Sequence, residues 1–507
     1  MNDDWIGYRW LAKEFGVETV QSFPTSSRIG RSRSSTSTDG FTVVTHLGLA
    51  RPESTLSGHL TFALKHEGVH LEFLARLFAV LPPALMNAWV NGEPSGQYAR
   101  RAGFLYEWLT SKQLDFGGVQ VGNYVLALPA GAYVTRSRPT NNARWRVRNN
   151  LPGLATYCPT IRRTRLLADF EAYDCLDKLR ELEVEFGADI FLRSAVWLTI
   201  KESRSSFMIE HEEAQTDRIK RFASVMERYL GEGVDPLADE FLARIQSGIL
   251  GERALRLGLR RSPVFIGETG RFGEVVHYVA PHWDDVPAML EGLREFATAT
   301  EGGWPAIIRG AALSFGFVYI HPMVDGNGRI SRFLVNDTFR RDGEVPSPYI
   351  LPISATITRS VANRAAYDQV LEFFSKPLMN RYSAACSFGA VAECDDGIQT
   401  NFRFSAYDEA RYAWTFPDLT HQCEYMAGVI KETIESEMRK EASFLADIHR
   451  TRAKVKEVIE APDVEIDRLI RSIRNNKRIS GRLISEFPFL EDGAISNALL
   501  DAILPED

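Results

Sequence analysis

Apolar residues recur at three- and four-residue spacing through most of the chain after residue 166. That period predicts helices at 167–185, 187–203, 215–230, 236–248, 284–299, 305–320, 328–341, 357–375 and 405–457. Before residue 136 the pattern is mixed. Trp5 to Phe15, His59 to Val80 and Tyr98 to Lys112 read as helices, whereas Asn123 to Leu128 (NYVLAL) has strand character. Strand-like material after residue 166 is scarce. The clearest case is SPVFIGETGRFGEVVHYV at 262–279, two β-rich arms around a glycine-containing tip, which predicts a hairpin. Residues 463–505 read as a small helical or winged-helix unit. No internal repeat of 20–50 residues appears.

Composition changes the picture in a few places. A length of 507 residues points to about three domains. With 45% hydrophobic and 25% charged residues, the chain can bury sizeable cores and is not globally disordered. The net charge of -7 speaks against a general basic coat for nucleic acid, though not against a local basic patch. The five cysteines are far apart and form no CxxC pair, which excludes a disulfide framework and a thiolate zinc site. The acidic start lacks the order of a secretory signal, and Arg76, Pro82 and Pro83 interrupt the longest apolar region, Phe73 to Val90. A cytoplasmic protein without a membrane span is expected.

Two segments stand out. Residues 25–38 (TSSRIGRSRSSTST) are rich in Ser, Thr and Arg and read as an exposed loop. Residues 131–166 hold eight arginines and no Asp, Glu or Lys, among several Pro, Gly and Asn. We read 136–166 as an Arg-rich linker between a mixed α+β domain at 1–135 and a helical domain beginning at 167. Leu11 to Val17 has the spacing of the first helix and turn of a helix-turn-helix. Residues 1–166 are therefore open to target-protein recognition, nucleic-acid contact or a structural role. The C-terminal helices, 401–507, suit dimerisation or target docking.

The chemistry concentrates at 321–332, His-Pro-Met-Val-Asp-Gly-Asn-Gly-Arg-Ile-Ser-Arg. Pro322 disfavours helical geometry at His321, so the preceding helix should stop there. Gly326 and Gly328 let a ligand approach the backbone at a new helix start, an anion site. Arg329 and Arg332, three apart, share one helix face and suit a polyphosphate. Asp325, the one carboxylate in the loop, reads as a Mg²⁺ ligand beside phosphates. His321 has the pKa range for a general base.

The order of these residues resembles the signature of Fic proteins, H-x-F-x-[D/E]-G-N-G-R-x-x-R, with Met323 in place of the aromatic third residue. Val264, Phe265, Ile266 and Gly267 resemble one arm of the family's hairpin "flap", and Tyr367 lies in the post-motif helices, where an adenine contact is one reading and ordinary core the other. Residues 202–213 resemble the family's inhibitory motif [S/T]-x-x-x-E-[G/N]: Ser206 and Glu210 match, and His211 replaces Gly or Asn. The resemblance implies a mainly α fold, a helical Fic core with a β-hairpin flap, within a catalytic domain at 167–400.

It also implies an autoinhibited protein adenylyltransferase that moves AMP from ATP to a Ser, Thr or Tyr hydroxyl. His321 would be the base and Asp325 the magnesium ligand. Gly326, Asn327 and Gly328 would stabilise the transferring phosphoryl, while Arg329 and Arg332 would hold the β- and γ-phosphates. The flap would align the target, Glu210 would block Arg332, and the expected partners are ATP, a protein substrate and a second copy of the chain. The Doc kinases resemble this site but replace the first Gly by Ala and the second by Lys; two glycines favour AMP over phosphate transfer. Removal of AMP with the help of Glu210, and a nucleotide-sensing DNA-binding regulator, are the alternatives.

Overall fold

The computed structural model describes residues 4–38, 40–212, 216–233, 235–251, 254, 256–270 and 273–504. Its N-terminal part interleaves strands and helices. Strand β1 (Trp5–Ile6) leads into α1 (Tyr8–Phe15), which Gly16 ends in the left-handed conformation. Then come β2 (Thr25–Ile29), β3 (Ser34–Thr38) and β4 (Phe41–His46), forming a sheet in the order β1-β2-β4-β3 with β2 and β4 parallel. Helix α2 (Leu56–His66) packs beside it, and α3 (Leu71–Val80) and α4 (Pro83–Gly92) pack on α5 (Gln97–Thr110). A second sheet holds β5 (Val125–Leu126), β6 (Thr140–Asn142) and β7 (Val147–Asn149) in the order β5-β7-β6.

The remainder is mainly helical. Helices α6 (Arg165–Glu171), α7 (Cys175–Phe186), α8 (Ala188–Ile209), α9 (Thr216–Tyr229) and α10 (Asp239–Leu250) precede a hairpin of β8 (Phe265–Gly270) and β9 (Gly273–Val279). Helices α11 (Val286–Thr300), α12 (Ala306–Ile320), α13 (Asn327–Arg341), α14 (Ile353–Thr358) and α15 (Val361–Tyr382) follow. A second hairpin, β10 (Cys386–Glu393) and β11 (Gln399–Phe404), leads to α16 (Tyr407–Thr415) and α17 (Thr420–Glu432). A π-helical stretch, Thr433–Met438, joins α17 to α18 (Arg439–Val458). Helices α19 (Asp463–Asn476), α20 (Gly481–Glu486) and α21 (Gly493–Ile503) close the chain around their own apolar cluster. Every residue of α12 except Val318 is buried, so it is the central helix, hydrophobic all round as such a position requires.

Four sequence expectations need correction. The stretch 25–38 is not a loop: it supplies β2 and β3, with Ser26 and Ser27 buried. Its small hydroxyl side chains fit a tight sheet but give no hydrophobic alternation to read. Residues 136–166 are not a linker. They carry β6 and β7 and bury Trp145, Leu151, Tyr157 and Ile161 in the cores on either side. The helix-turn-helix is not formed, since α1 is followed by strand β2 rather than a recognition helix. The C-terminal unit is helical, without a strand among the described residues, so it is not winged.

The arginines of 136–166 are mostly spent inside the fold. Arg136 pairs with Glu295, Arg144 with Glu107, Arg162 with Asp418 and Arg163 with Glu171. Arg146 donates to the carbonyls of Val119, Gln120 and Gly122 at 3.2, 2.8 and 2.8 Å. Arg148, by contrast, is exposed. Arg146→Ala should therefore lower stability by about 1–3 kcal/mol in urea unfolding, and Arg148→Ala should leave it unchanged within about 0.5 kcal/mol.

Candidate active site

Helix α12 ends at Ile320, and His321 caps it in the left-handed region at φ 50° and ψ 58°. The last carbonyls of any helix lack intrahelical partners. Here Phe317 O accepts from the His321 N–H at 2.9 Å, and Val318 O lies 3.3 Å from His321 Nδ1. Tyr319 O accepts from the Tyr278 hydroxyl, and His321 O accepts from Arg260 Nε at 2.7 Å. A carbonyl can only accept, so Nδ1 carries the ring proton and Nε2 keeps a free lone pair. Burial lowers the His321 pKa to about 4, helped by the nearby Arg260 guanidinium. The ring is thus neutral near pH 7 and can take a proton.

The loop after His321 is built to hold a helix start open. Met323 is fully buried. Asn327 was expected to face phosphate, but its amide instead closes the loop. Its Oδ1 accepts from Met323 N–H at 2.9 Å and its Nδ2 donates to Met323 O at 2.8 Å. Gly326 caps α13 at φ 93°, a conformation that side chains resist. The N–H groups of the first turn of α13 and its dipole make this end an anion site.

A carboxylate already sits there. A Cβ on Gly328 would lie 2.1 Å from Glu210 Oε1, so only glycine allows this approach. Arg332 Nη2 donates to the same Glu210 oxygen at 2.8 Å. Its Nε donates to Ser206 Oγ at 2.7 Å, and Nη2 also to Ser206 O at 3.1 Å. Arg332 is 1% exposed, whereas the Glu210 side chain is 33% exposed. Burial alone would raise the Glu210 pKa, but Arg332 outweighs it and holds the carboxyl below its ordinary value. Arg329, also buried, donates to Glu212 at 2.7 Å and to Asp325 at 2.7 Å. Each arginine keeps one buried nitrogen without a partner among the described residues, Arg329 Nε and Arg332 Nη1. The site therefore has donor capacity left for further anionic oxygens.

The family model described as Fic/DOC matches residues 236–338, the span from α10 through the hairpin to α13. The chain carries a Fic domain. The chain is similar in structure to a Fic family protein from Desulfovibrio desulfuricans G20. The TM-score is 0.38 at 16% identity, covering 59% of this chain and 82% of that one. It is also similar to a Fic domain containing signaling protein from Bacteroides thetaiotaomicron VPI-5482. There the TM-score is 0.36 at 17% identity, covering 53% and 97%.

Helix α8 lies outside the matched span yet delivers Ser206 and Glu210 to the Fic domain. The chain turns sharply where the helix ends. His211 sits at φ 58°, its N–H bonds Met208 O at 3.2 Å, and the Glu212 N–H bonds Phe207 O at 2.9 Å. That pair of bonds is a Schellman turn. It aims Glu210 at Arg332 and Glu212 at Arg329. Glu212, to which the sequence assigned no role, is a partner of the site; Glu213 lies outside the described residues. Buried Glu202, one turn before Ser206, accepts from Ser354 N–H at 2.7 Å and anchors α8 to α14.

The flap residues fall into two groups. Phe265 packs on Phe402 and Phe388 of the second hairpin at ring distances of 4.5 and 5.4 Å, and Val264 packs on the core. Ile266 is 45% exposed, and a Cβ on Gly267 would meet Val275 O at 2.3 Å. The Gly270–Gly273 tip includes residues outside the described set. Tyr367 is core rather than an open platform. It is buried between Phe315 and Tyr425, close to Arg332. Sequence reading missed Arg260, Glu202 and Asp396, which act from other elements without any local spacing signal. Among the described residues no cluster of three His, Cys, Asp or Glu forms a metal cage, and no single helix is long and apolar enough to cross a membrane.

Burial of His321 makes the stability of the fold depend on pH. Its folded pKa of about 4 lies below the ordinary 6.5, so the unfolded chain binds the proton first. Its contribution is neutral above pH 6.5 and destabilising as pH falls from 6.5 toward 4. Urea unfolding of wild type and His321→Gln at pH 7 and 5 should show the wild type losing ground to the variant at pH 5.

Proposed function

We propose that the chain is an autoinhibited Fic-type AMP transferase, moving AMP from ATP to a Ser, Thr or Tyr hydroxyl of a protein and releasing pyrophosphate. His321 Nε2 takes the hydroxyl proton as the oxygen attacks the α-phosphorus. The bond to the β-phosphate oxygen breaks, and pyrophosphate carries that electron pair away. Donors at the start of α13 stabilise the charge on the transferring group, and Arg329 and Arg332 hold the leaving phosphates.

Asp325 is half exposed and the only loop carboxylate. One carboxylate completed by phosphate oxygens and water suits Mg²⁺, which would neutralise charge on the α- and β-phosphates. Asp325 would need to leave Arg329 to do so.

The observation that carries this reading is the Glu210 carboxylate seated against Gly328 and Arg332. It occupies a place fit for a terminal phosphate and holds the arginine that the phosphate would need. A second reading, removal of AMP with Glu210 polarising water, draws on the same carboxylate being ionised and a third exposed. The DNA-binding alternative loses support, because α1 has no recognition helix after it and most of the loop arginines are paired within the fold.

Purified full-length protein with labelled ATP and Mg²⁺ tests the assignment. Glu210→Gly should raise labelling of itself or of lysate proteins at least about tenfold, on the scale of one lost charge-assisted contact. Adding His321→Ala should abolish it. Absence of label with Glu210→Gly would sink the transfer reading. Loss of an AMP-removing activity on the same substitution would support the second.

A further inference from the structure

Arg260 is 1% exposed, yet among the described residues no carboxylate pairs with it directly, Asp396 acting only from beyond ion-pair distance. Buried arginines are normally paired with an acid, because desolvating a guanidinium is costly. Here backbone carbonyls take the acid's place. Nε donates to His321 O at 2.7 Å, Nη1 to Ser262 O at 3.0 Å, and Nη2 to Pro281 O at 2.7 Å, with Ile320 O at 3.5 Å. Two of these carbonyls belong to the C-terminus of α12, where the helix dipole favours a cation. The other two flank the base of the flap: Ser262 precedes β8 and Pro281 follows β9.

The neighbouring backbone is zipped to the same loop. The Arg260 N–H donates to Pro322 O at 2.9 Å, and Leu259 bridges Met323. From the other side, Asp396 in the turn of the β10–β11 hairpin accepts from the Arg261 N–H at 2.8 Å and from Ser262 Oγ at 2.9 Å. Both arms of the flap and the loop bearing His321 thus meet on one planar, five-donor group.

Resting on the transfer reading above, we propose that Arg260 is a positioning residue that fixes the backbone of His321 to the base of the flap, so that a target held by the flap meets the imidazole in register. A lysine could supply the charge but not the fork that reaches both flap arms and α12 together. Misplacing a general base by about 1 Å costs on the order of 100-fold in rate, whereas nucleotide held by other residues should bind as before.

The groups facing His321 are Arg260, Glu210 from the end of α8, Asp325 in its own loop, and Val318 O. Loss of Arg260 should therefore also make the imidazole easier to protonate, which a purely structural brace elsewhere would not do.

The test uses full-length Glu210→Gly protein with Arg260→Lys or Arg260→Met added. Labelling at varied ATP should give kcat lower by about 10–100-fold with KM for ATP within about twofold, and lysine should not rescue it. In ¹³C-histidine NMR, the His321 resonance, assigned by its loss in His321→Gln, should titrate at higher pH in Arg260→Met than in the parent. An unchanged kcat, a raised KM with unchanged kcat, or an unmoved titration would overturn the proposal. If the Arg260 variants do not fold, Asp396→Asn loosens the same strap and should lower kcat about 3–10-fold; an unchanged rate would overturn it. A parent that does not label defeats the transfer reading, and the NMR titration then decides the role of Arg260 alone.

Discussion

A buried guanidinium needs acceptors to replace water, and Arg332 at 1% exposure, with a carboxylate among its acceptors, is the group on which the site turns. Water cannot solvate it, and one of its nitrogens is already without a partner among the described residues. Leaving such a cation unpaired typically costs about 3–5 kcal/mol, somewhat less where the partner is partly exposed, as Glu210 is. Two anions suit the position. Glu210 supplies one from α8, and a nucleotide phosphate would supply the other. On the proposed function, that competition would make a single arginine serve as both ligand and latch.

The rest of the architecture sets the terms of that competition. The central helix α12 ends where its carbonyls are tied down by His321, Tyr278 and Arg260, and with Nδ1 turned to Val318 O the other ring nitrogen, Nε2, is left for the hydroxyl proton of the proposed reaction. Gly328 leaves room for an anion directly on the backbone. Helix α8 is held along its length, by Glu202 on Ser354 and by Ser206 on Arg332, so Glu210 arrives at a defined height. The Schellman turn at His211 then places Glu212 on Arg329, and Arg329 in turn holds Asp325. Both arginines and the carboxylate suited to a metal are engaged by one helix end. A left-handed histidine is strained by roughly 1–2 kcal/mol relative to glycine, so this turn carries local backbone strain.

The motif was legible because its parts are contiguous. Pro322, the two glycines and the arginines each act within one turn of their neighbours, so spacing reports geometry. Asn327 shows the limit of that legibility: residue type and position matched a phosphate contact, yet its amide closes the loop. Ser206 and Glu210 were legible through their resemblance to the inhibitory motif, but the role of Glu212 depends on where the chain turns after Glu210. Arg260 and Asp396 carried no signal, because each acts on backbone groups distant in sequence. The misread segments failed for a related reason. The 25–38 strands hide behind small hydroxyl residues, and the arginines of 136–166 looked like a linker because their partners, Glu107, Glu295 and Asp418, lie far away in the chain.

The central claim is that Glu210 and a terminal phosphate exclude one another at Arg332. The direct measurement compares ATP and ADP binding by calorimetry to wild type and Glu210→Gly, with His321→Ala present in both to prevent turnover. If Arg332 takes the γ-phosphate, Glu210→Gly should tighten ATP at least about tenfold, roughly 1.4 kcal/mol, and leave ADP nearly unchanged. Equal tightening of both nucleotides, or of neither, would contradict the account.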